Sequence, residues 1–109
     1  MSAAARRGDV FLVALEPTVG TEIRKTGPCL VVSPDELNQR LRTLIVAPMT
    51  TGGHSYPFRV ACRFQKRDGF VVLDQLRTVD TERLVRKLGR LSSTALSAAL
   101  GILQEMFAE

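Results

Sequence analysis

Apolar positions follow one rhythm early in the chain and another late, and each rhythm names an element. The run 10–15, Val10-Phe11-Leu12-Val13-Ala14-Leu15, is almost continuously apolar, as a core strand would be. Pro17 stops it, and the polar stretch from Glu16 to Pro28, punctuated by Gly20 and Gly27, reads as a long loop. Residues 29–32 form a second strand. Ser33-Pro34-Asp35-Glu36 then reads as a helix start, with Ser33 as cap, Pro34 in the first helical position and Glu36 completing a capping box. That helix ends near Arg40 or Leu41. Residues 43–47 make a third strand that Pro48 ends, and Thr50 to Ser55 form another loop.

From Pro57 the pattern becomes strict alternation. Phe58, Val60, Cys62 and Phe64 share one face, and Arg59 and Arg63 point the other way. Asp68-Gly69 signals a turn into the run 70–73, giving a hairpin. Asp80 suits the cap of a short helix from Thr81 to about Lys87, with Gly89 as its stop. Ser92 or Ser93 opens a last helix to about Phe107, in which Leu96, Leu100, Leu103 and Phe107 form one stripe for the core or a dimer contact. About five short strands with helices inserted late predict a mainly β domain with some α, a small antiparallel barrel or half-barrel with a C-terminal helix. One domain covers residues 1–109, with 1–7 as a frayed terminus.

Composition narrows the class without deciding the function. Apolar residues at 45 % and charged residues at 24 % are an ordinary globular balance. The formal charge of +4 favours polyanionic partners, but only mildly. Cys29 and Cys62 lie in apolar runs and read as free thiols in a reducing cytosol; with the single His54 they do not make a zinc set. No apolar run approaches the ~20 residues of a spanning helix. A cytoplasmic protein with no metal, no cofactor and no membrane partner is expected.

Six segments together carry a family resemblance: Arg7-Gly8-Asp9-Val10, Pro17-Thr18-Val19-Gly20-Thr21-Glu22, Pro28-Cys29-Leu30-Val31-Val32-Ser33-Pro34, Val46-Ala47-Pro48-Met49-Thr50, Tyr56-Pro57-Phe58 and Leu73-Asp74-Gln75-Leu76-Arg77-Thr78. In this order they resemble the MazF/PemK toxins of toxin–antitoxin modules. The resemblance implies a PemK-like barrel related to the SH3-like architecture and a homodimer. It also implies a cognate antitoxin whose disordered tail covers the RNA groove. The implied activity is metal-independent cleavage of single-stranded RNA at short sequences, through attack of the 2′-hydroxyl to a 2′,3′-cyclic phosphate.

The same resemblance assigns roles residue by residue. It implies an arginine directly before Pro28 and a threonine after the Ala-Pro-x strand end. The threonine is Thr50, but the arginine's place is held by Gly27. A preorganised donor on developing phosphoryl charge is worth ~100–1000-fold in rate, and glycine supplies none. Either Arg24 or Lys25 compensates in part, or Gly27 is a lesion that disables the enzyme. Glu22 can orient arginines or contact RNA. Asp74 is either a base toward the 2′-hydroxyl or a carboxylate fixing the turn that follows. Arg77 is a phosphate ligand or a solvated cation, and Tyr56 is a base-stacking candidate. Phe58 reads as core, His54 as an exposed loop tip, and Arg83, Arg86, Lys87 and Arg90 as a solvated face. The competing functions are a CcdB-like toxin that poisons gyrase by contact and a catalytically dead RNA- or antitoxin-binding module.

Overall fold

The computed structural model describes residues 4–15 and 26–109. Among them are seven strands and two helices: β1 (Asp9–Ala14), β2 (Thr26–Val31), α1 (Asp35–Arg40), β3 (Thr43–Thr51), β4 (Arg59–Phe64), β5 (Arg67–Val72), β6 (Arg77–Asp80), β7 (Leu84–Arg90) and α2 (Ser93–Met106). Short 3-10 turns lie at Leu73–Gln75 and Thr81–Arg83. The strands form one sheet in the order β4-β5-β3-β2-β1-β7, with β6 also on β3, and the strand pairs are antiparallel. The chain is therefore mainly β with a C-terminal helix, as the pattern predicted, but with seven strands where about five were expected.

Successive residues of the central strands feed two different apolar clusters. Val10, Leu30, Val32, Ala47 and Met49 join Val60, Val71 and Ala99 in one. Val13, Cys29, Val31, Leu44 and Val46 join Leu15 and Val79 in the other. This is why the early runs are continuously apolar: β1, β2 and β3 are buried on both faces. Val10 and Val60 sit in the same cluster although β1 and β4 are far apart in the strand order, so the sheet curls over on itself and α2 fills the opening through Ala95, Leu96, Ala99 and Leu103. Phe107 does not share that stripe and is 73 % exposed.

β3 organises the fold, and Pro48 does not end it. Thr43 to Val46 pair with β6, and Met49 to Thr51 pair with β5. Pro48 stands between these two ladders, where its missing N–H is not required by either neighbour on that side. On the other side β2 runs past it, with Cys29 opposite Pro48. Between the pairs Met49–Val71 and Val46–Arg77, β3 has two residues and its partner chain segment has five. The extra length loops out as the 3-10 turn that carries Asp74.

Other expectations fail for identifiable reasons. The β4–β5 turn is at Gln65 and Lys66, both with positive φ (51° and 66°), not at Asp68-Gly69. Asp80 does cap, accepting from the Glu82 N–H, but the turn ends at Arg83 and β7 follows where a helix to Lys87 was expected. Leu84 and Leu88 are four apart and mimic a helical face. In β7 that spacing comes from two register shifts against β1, which move Leu84 to one cluster and Leu88 to the other. Gly89 lies in this strand. Ser33 makes no capping box; its hydroxyl donates to Asn38 Oδ1 and accepts from the Ile45 N–H, a buried polar pair behind α1. Pro34 is the residue before the helix, not the first within it. Ser92 caps α2 by accepting from the Ala95 N–H. Arg7, inside the stretch read as frayed, is fastened by its N–H to Asp35 and its Nε to the Val32 carbonyl.

Candidate active site

Gly27 and Pro28 belong to strand β2, not to the preceding loop. Gly27 pairs with Val13 and Pro28 with Leu12. Thr50 likewise lies in β3, opposite Phe70 of β5, and not in the following loop. Continuing the β2–β3 register two positions beyond Cys29–Pro48 sets Gly27 opposite Thr50. Alternation puts both on the same face, since Gly27 is two residues from Cys29 and Thr50 two from Pro48. A Cβ at Gly27 would meet nothing within 4 Å, and its φ lies outside the left-handed region. The backbone there accepts a long side chain without strain.

The face continues from Thr50 across the neighbouring strands. Phe70 pairs with both Thr50 and Ala61, and Arg59 lies two residues from Ala61 opposite Val72. Arg59, Ala61, Phe70 and Thr50 therefore project together. An open basin of about 490 Å³ is lined by Gly52, Gly53, Ala61, Arg63, Asp68 and Phe70, and Thr50 itself lines a separate cavity of about 130 Å³ with Pro28, Met49 and Thr51. The Thr50 hydroxyl donates to the Gly52 carbonyl at 3.3 Å, a long bond that it can exchange for a ligand oxygen. The strand β5 approaches here more closely than any side chain permits: a Cβ on Gly69 would lie 1.8 Å from the Thr50 carbonyl oxygen. The glycine that looked like a turn signal is a contact requirement for seating Thr50.

Asp74 is held by an arginine that sequence reasoning passed over. Arg59 Nε donates to Asp74 Oδ1 at 3.1 Å, and a terminal nitrogen donates to Oδ2 at 3.3 Å. The Arg59 guanidinium holds the Asp74 carboxyl below the usual carboxylate range, against the opposing effect of partial burial, and is itself held further toward its charged form. Its guanidinium carbon also stands 4.9 Å from the centroid of the Tyr56 ring. Arg59 was legible only as a polar-face residue of a strand; its partner lies fifteen residues on, and the register brings them together.

Arg77 is engaged elsewhere, donating to the Leu15 carbonyl at 3.2 Å, and Arg83 donates to the Ala14 carbonyl, so both secure the end of β1. Lys87 and Arg90 bind the buried Asp9. The basic group read as a solvated face is exposed at Arg86, Lys87 and Arg90, two of which also hold Asp9, while Arg83 is half-buried. Phe58 is half exposed before β4 begins, not in the core, and His54 is exposed. Glu22, Arg24 and Lys25 lie outside the described residues. Cys29 is buried and free, its thiol pushed up to about 12 by that burial, which outweighs the lowering effect of Arg77. Cys62 is also free. Among the described residues no group of three or more His, Cys, Asp or Glu could hold a metal ion, and no helix is long and apolar enough to cross a membrane.

This arrangement matches known proteins across nearly its whole length. The family model of the PemK-like, MazF-like toxins of type II toxin–antitoxin systems matches residues 6–107. Endoribonuclease PemK of Escherichia coli is 36 % identical over 101 residues, covering 87 % of this chain and 76 % of that protein. Endoribonuclease MazF of Staphylococcus epidermidis is 33 % identical over 110 residues, covering 89 % and 92 %. Among solved structures, MazF from Deinococcus radiodurans superposes with a TM-score of 0.83 at 24 % identity, covering 96 % of this chain and 97 % of that one. The chain belongs to the PemK-like, MazF-like toxins of type II toxin–antitoxin systems.

Proposed function

We propose that this chain is built to cleave single-stranded RNA across the face that joins Gly27 and Thr50, and that Gly27 leaves it impaired. The RNA brings its own nucleophile. Its 2′-oxygen bonds to the adjacent phosphorus, the P–O5′ bond breaks, and a 2′,3′-cyclic phosphate and a 5′-hydroxyl result. One proton leaves the 2′-hydroxyl and one is delivered to O5′. Negative charge grows on the non-bridging oxygens in between, so donors fixed beside them lower the barrier. The Thr50 hydroxyl is one such donor. A guanidinium at position 27, one strand away on the same face, would be the second, and its loss removes ~100–1000-fold in rate.

This reading is supported by the open space about Gly27 and by the β2–β3 register, which, extended two positions beyond Cys29–Pro48, runs Gly27 toward Thr50. Membership of a type II toxin family supports an antitoxin as partner, with a disordered tail over the RNA face, and supports a homodimer in the cytoplasm. Glu22, Arg24 and Lys25 are kept as RNA-contacting residues, with Tyr56 nearer β4. Arg77 has a carbonyl partner and is kept only as a secondary phosphate contact.

Gly27 itself favours a second reading, a module that binds RNA or antitoxin without cutting. The test is incubation of a long single-stranded RNA with the native protein and with Gly27→Arg, both in EDTA. Cleavage by the arginine version alone supports the impaired enzyme. Cleavage by both credits Arg24 or Lys25. If neither cuts while both bind RNA, the non-catalytic module is correct. If neither binds RNA and gyrase is retained from lysate, the contact poison is.

A further inference from the structure

Two aromatic rings stand out of the surface just before β4. Tyr56 is 54 % exposed and Phe58 39 %. Phe58 has a φ of +63°, a left-handed conformation that a bulky residue rarely holds. Such backbone persists where its surroundings over-determine it, and it collects at binding sites. Here the Arg59 N–H closes the turn by donating to the Tyr56 carbonyl at 3.2 Å. That turn brings the Arg59 guanidinium over the Tyr56 ring.

Asp74 fixes the guanidinium from the other side. Its two oxygens take two of the five N–H donors of Arg59. Among the described residues no acceptor meets the other three. The pair is partly exposed and does little for stability, so folding alone gives no reason for a stacked, clamped arginine beside an exposed ring. Unpaired bases of RNA are held by just these parts: an aromatic ring or an arginine plane for the base face, and donors for its edge. The free end of the guanidinium is a fork, which fits paired acceptors such as O6 and N7 of guanine.

We propose that Tyr56, Arg59 and Asp74 form a nucleobase subsite on the Thr50 face. An unpaired base stacks on Tyr56, Arg59 donates to its acceptor edge, and Asp74 is a positioning residue for Arg59 and not the base of the reaction. From strand spacings Arg59 and Thr50 are roughly 12 Å apart at their Cα atoms, a distance suited to a nucleotide flanking the one that reacts. The proposal rests on the reading that RNA is the substrate.

Binding by fluorescence anisotropy tests it on the native chain, whether or not that chain cuts. The probes are a labelled seven-residue oligouridylate, the same oligomer with a central guanosine, and an abasic sugar-phosphate oligomer of equal length. Tyr56→Ala should weaken both RNAs about tenfold and the abasic oligomer less than about twofold. Arg59→Gln should abolish preference for the guanosine, and Arg59→Lys, which lacks the fork, should not restore it. Equal losses on the abasic oligomer, or no loss with Tyr56→Ala, overturn the subsite. If the native chain binds none of the RNAs, the substrate reading itself fails. If it binds them and the variants are unaffected, only the subsite does.

In a Gly27→Arg background that cleaves, Asp74→Asn should keep the acid limb of the pH–rate profile in place and cost less than Asp74→Ala. A loss of ~100-fold or more with the acid limb abolished would make Asp74 the base instead.

Discussion

Replacing Gly69 by alanine should unseat Thr50, and the size of the effect follows from one contact. The added Cβ would fall 1.8 Å from the Thr50 carbonyl oxygen, 2.8 Å from its carbon and 3.2 Å from Thr51 Cα. Real contacts stay above 3.0 Å, so the two strands must shift apart here by at least about 1.2 Å. Backbone, not a flexible side-chain end, has to give. The three pairs Met49–Val71, Thr50–Phe70 and Thr51–Gly69 are strained together. A buried overlap of this kind costs about 2–4 kcal/mol. For a chain of this size that lowers the melting midpoint by roughly 10–20 °C. The control is Gly101→Ala, which lies in α2 with nothing within 4 Å of the new Cβ. It should gain about 1 kcal/mol and raise the midpoint, because alanine is the better helix former. Same chemical change, opposite sign. Thermal unfolding followed by circular dichroism measures both. A Gly69→Ala protein melting within about 2 °C of the parent would refute the close β3–β5 approach and the claim that it seats Thr50.

Burial of Cys29 makes the fold sensitive to alkali. Its thiol is raised to about 12 from 9.0, so the folded state holds a proton that the unfolded state has lost; stability is full below pH 9 and falls between pH 9 and 12, by about 4 kcal/mol at the end. Denaturant melts against pH should show that slope, and Cys29→Val should flatten it. Asp74 acts in the opposite sense. Its depressed carboxyl contributes above the usual carboxylate pKa and loses that contribution as pH falls through the folded value, a small and salt-sensitive effect because the pair is partly exposed. Arg59→Ala should bring the Asp74 carboxyl up toward its ordinary value in an NMR titration; an unmoved carboxyl would remove Arg59 as the cause. Thr50→Ala in a cleaving Gly27→Arg protein should lower kcat by ~100-fold with the melting midpoint unchanged, and a fall in stability instead would make Thr50 structural.

The strands that bury both faces were legible because nothing but a core tolerates runs such as 10–15. α2 was legible from its cap. What failed shares a cause: features set by a neighbour strand, not by local pattern. Pro48 would break the strand only if the neighbour its N–H would face needed that donor, and here the 3-10 excursion at Asp74 leaves no paired residue on that side. Gly69 marks a turn by local statistics, but its partner is the Thr50 backbone. Gln65 and Lys66 adopt the left-handed pair a two-residue hairpin requires although neither residue type favours it. β7 hid behind two register shifts. Arg59 and Asp74 meet only after β4, β5 and the excursion have been laid out.

The same distinction decides what Gly27 means. In a loop, a missing arginine is easily made good by a neighbour, since no ladder fixes where a side chain points. Gly27 is instead a strand residue, paired with Val13 and two positions from buried Cys29. A strand presents alternate residues to opposite faces, so the substituent at 27 has a direction fixed by the ladder. Extended from Cys29–Pro48, the β2–β3 register makes that direction the Thr50 face. Replacement from another position must supply a cation without this geometric preorganisation, and preorganisation is what makes such a donor effective on a transient charge. Restoring arginine at 27 itself should therefore raise cleavage far more than adding a second lysine or arginine upstream in the segment 16–25.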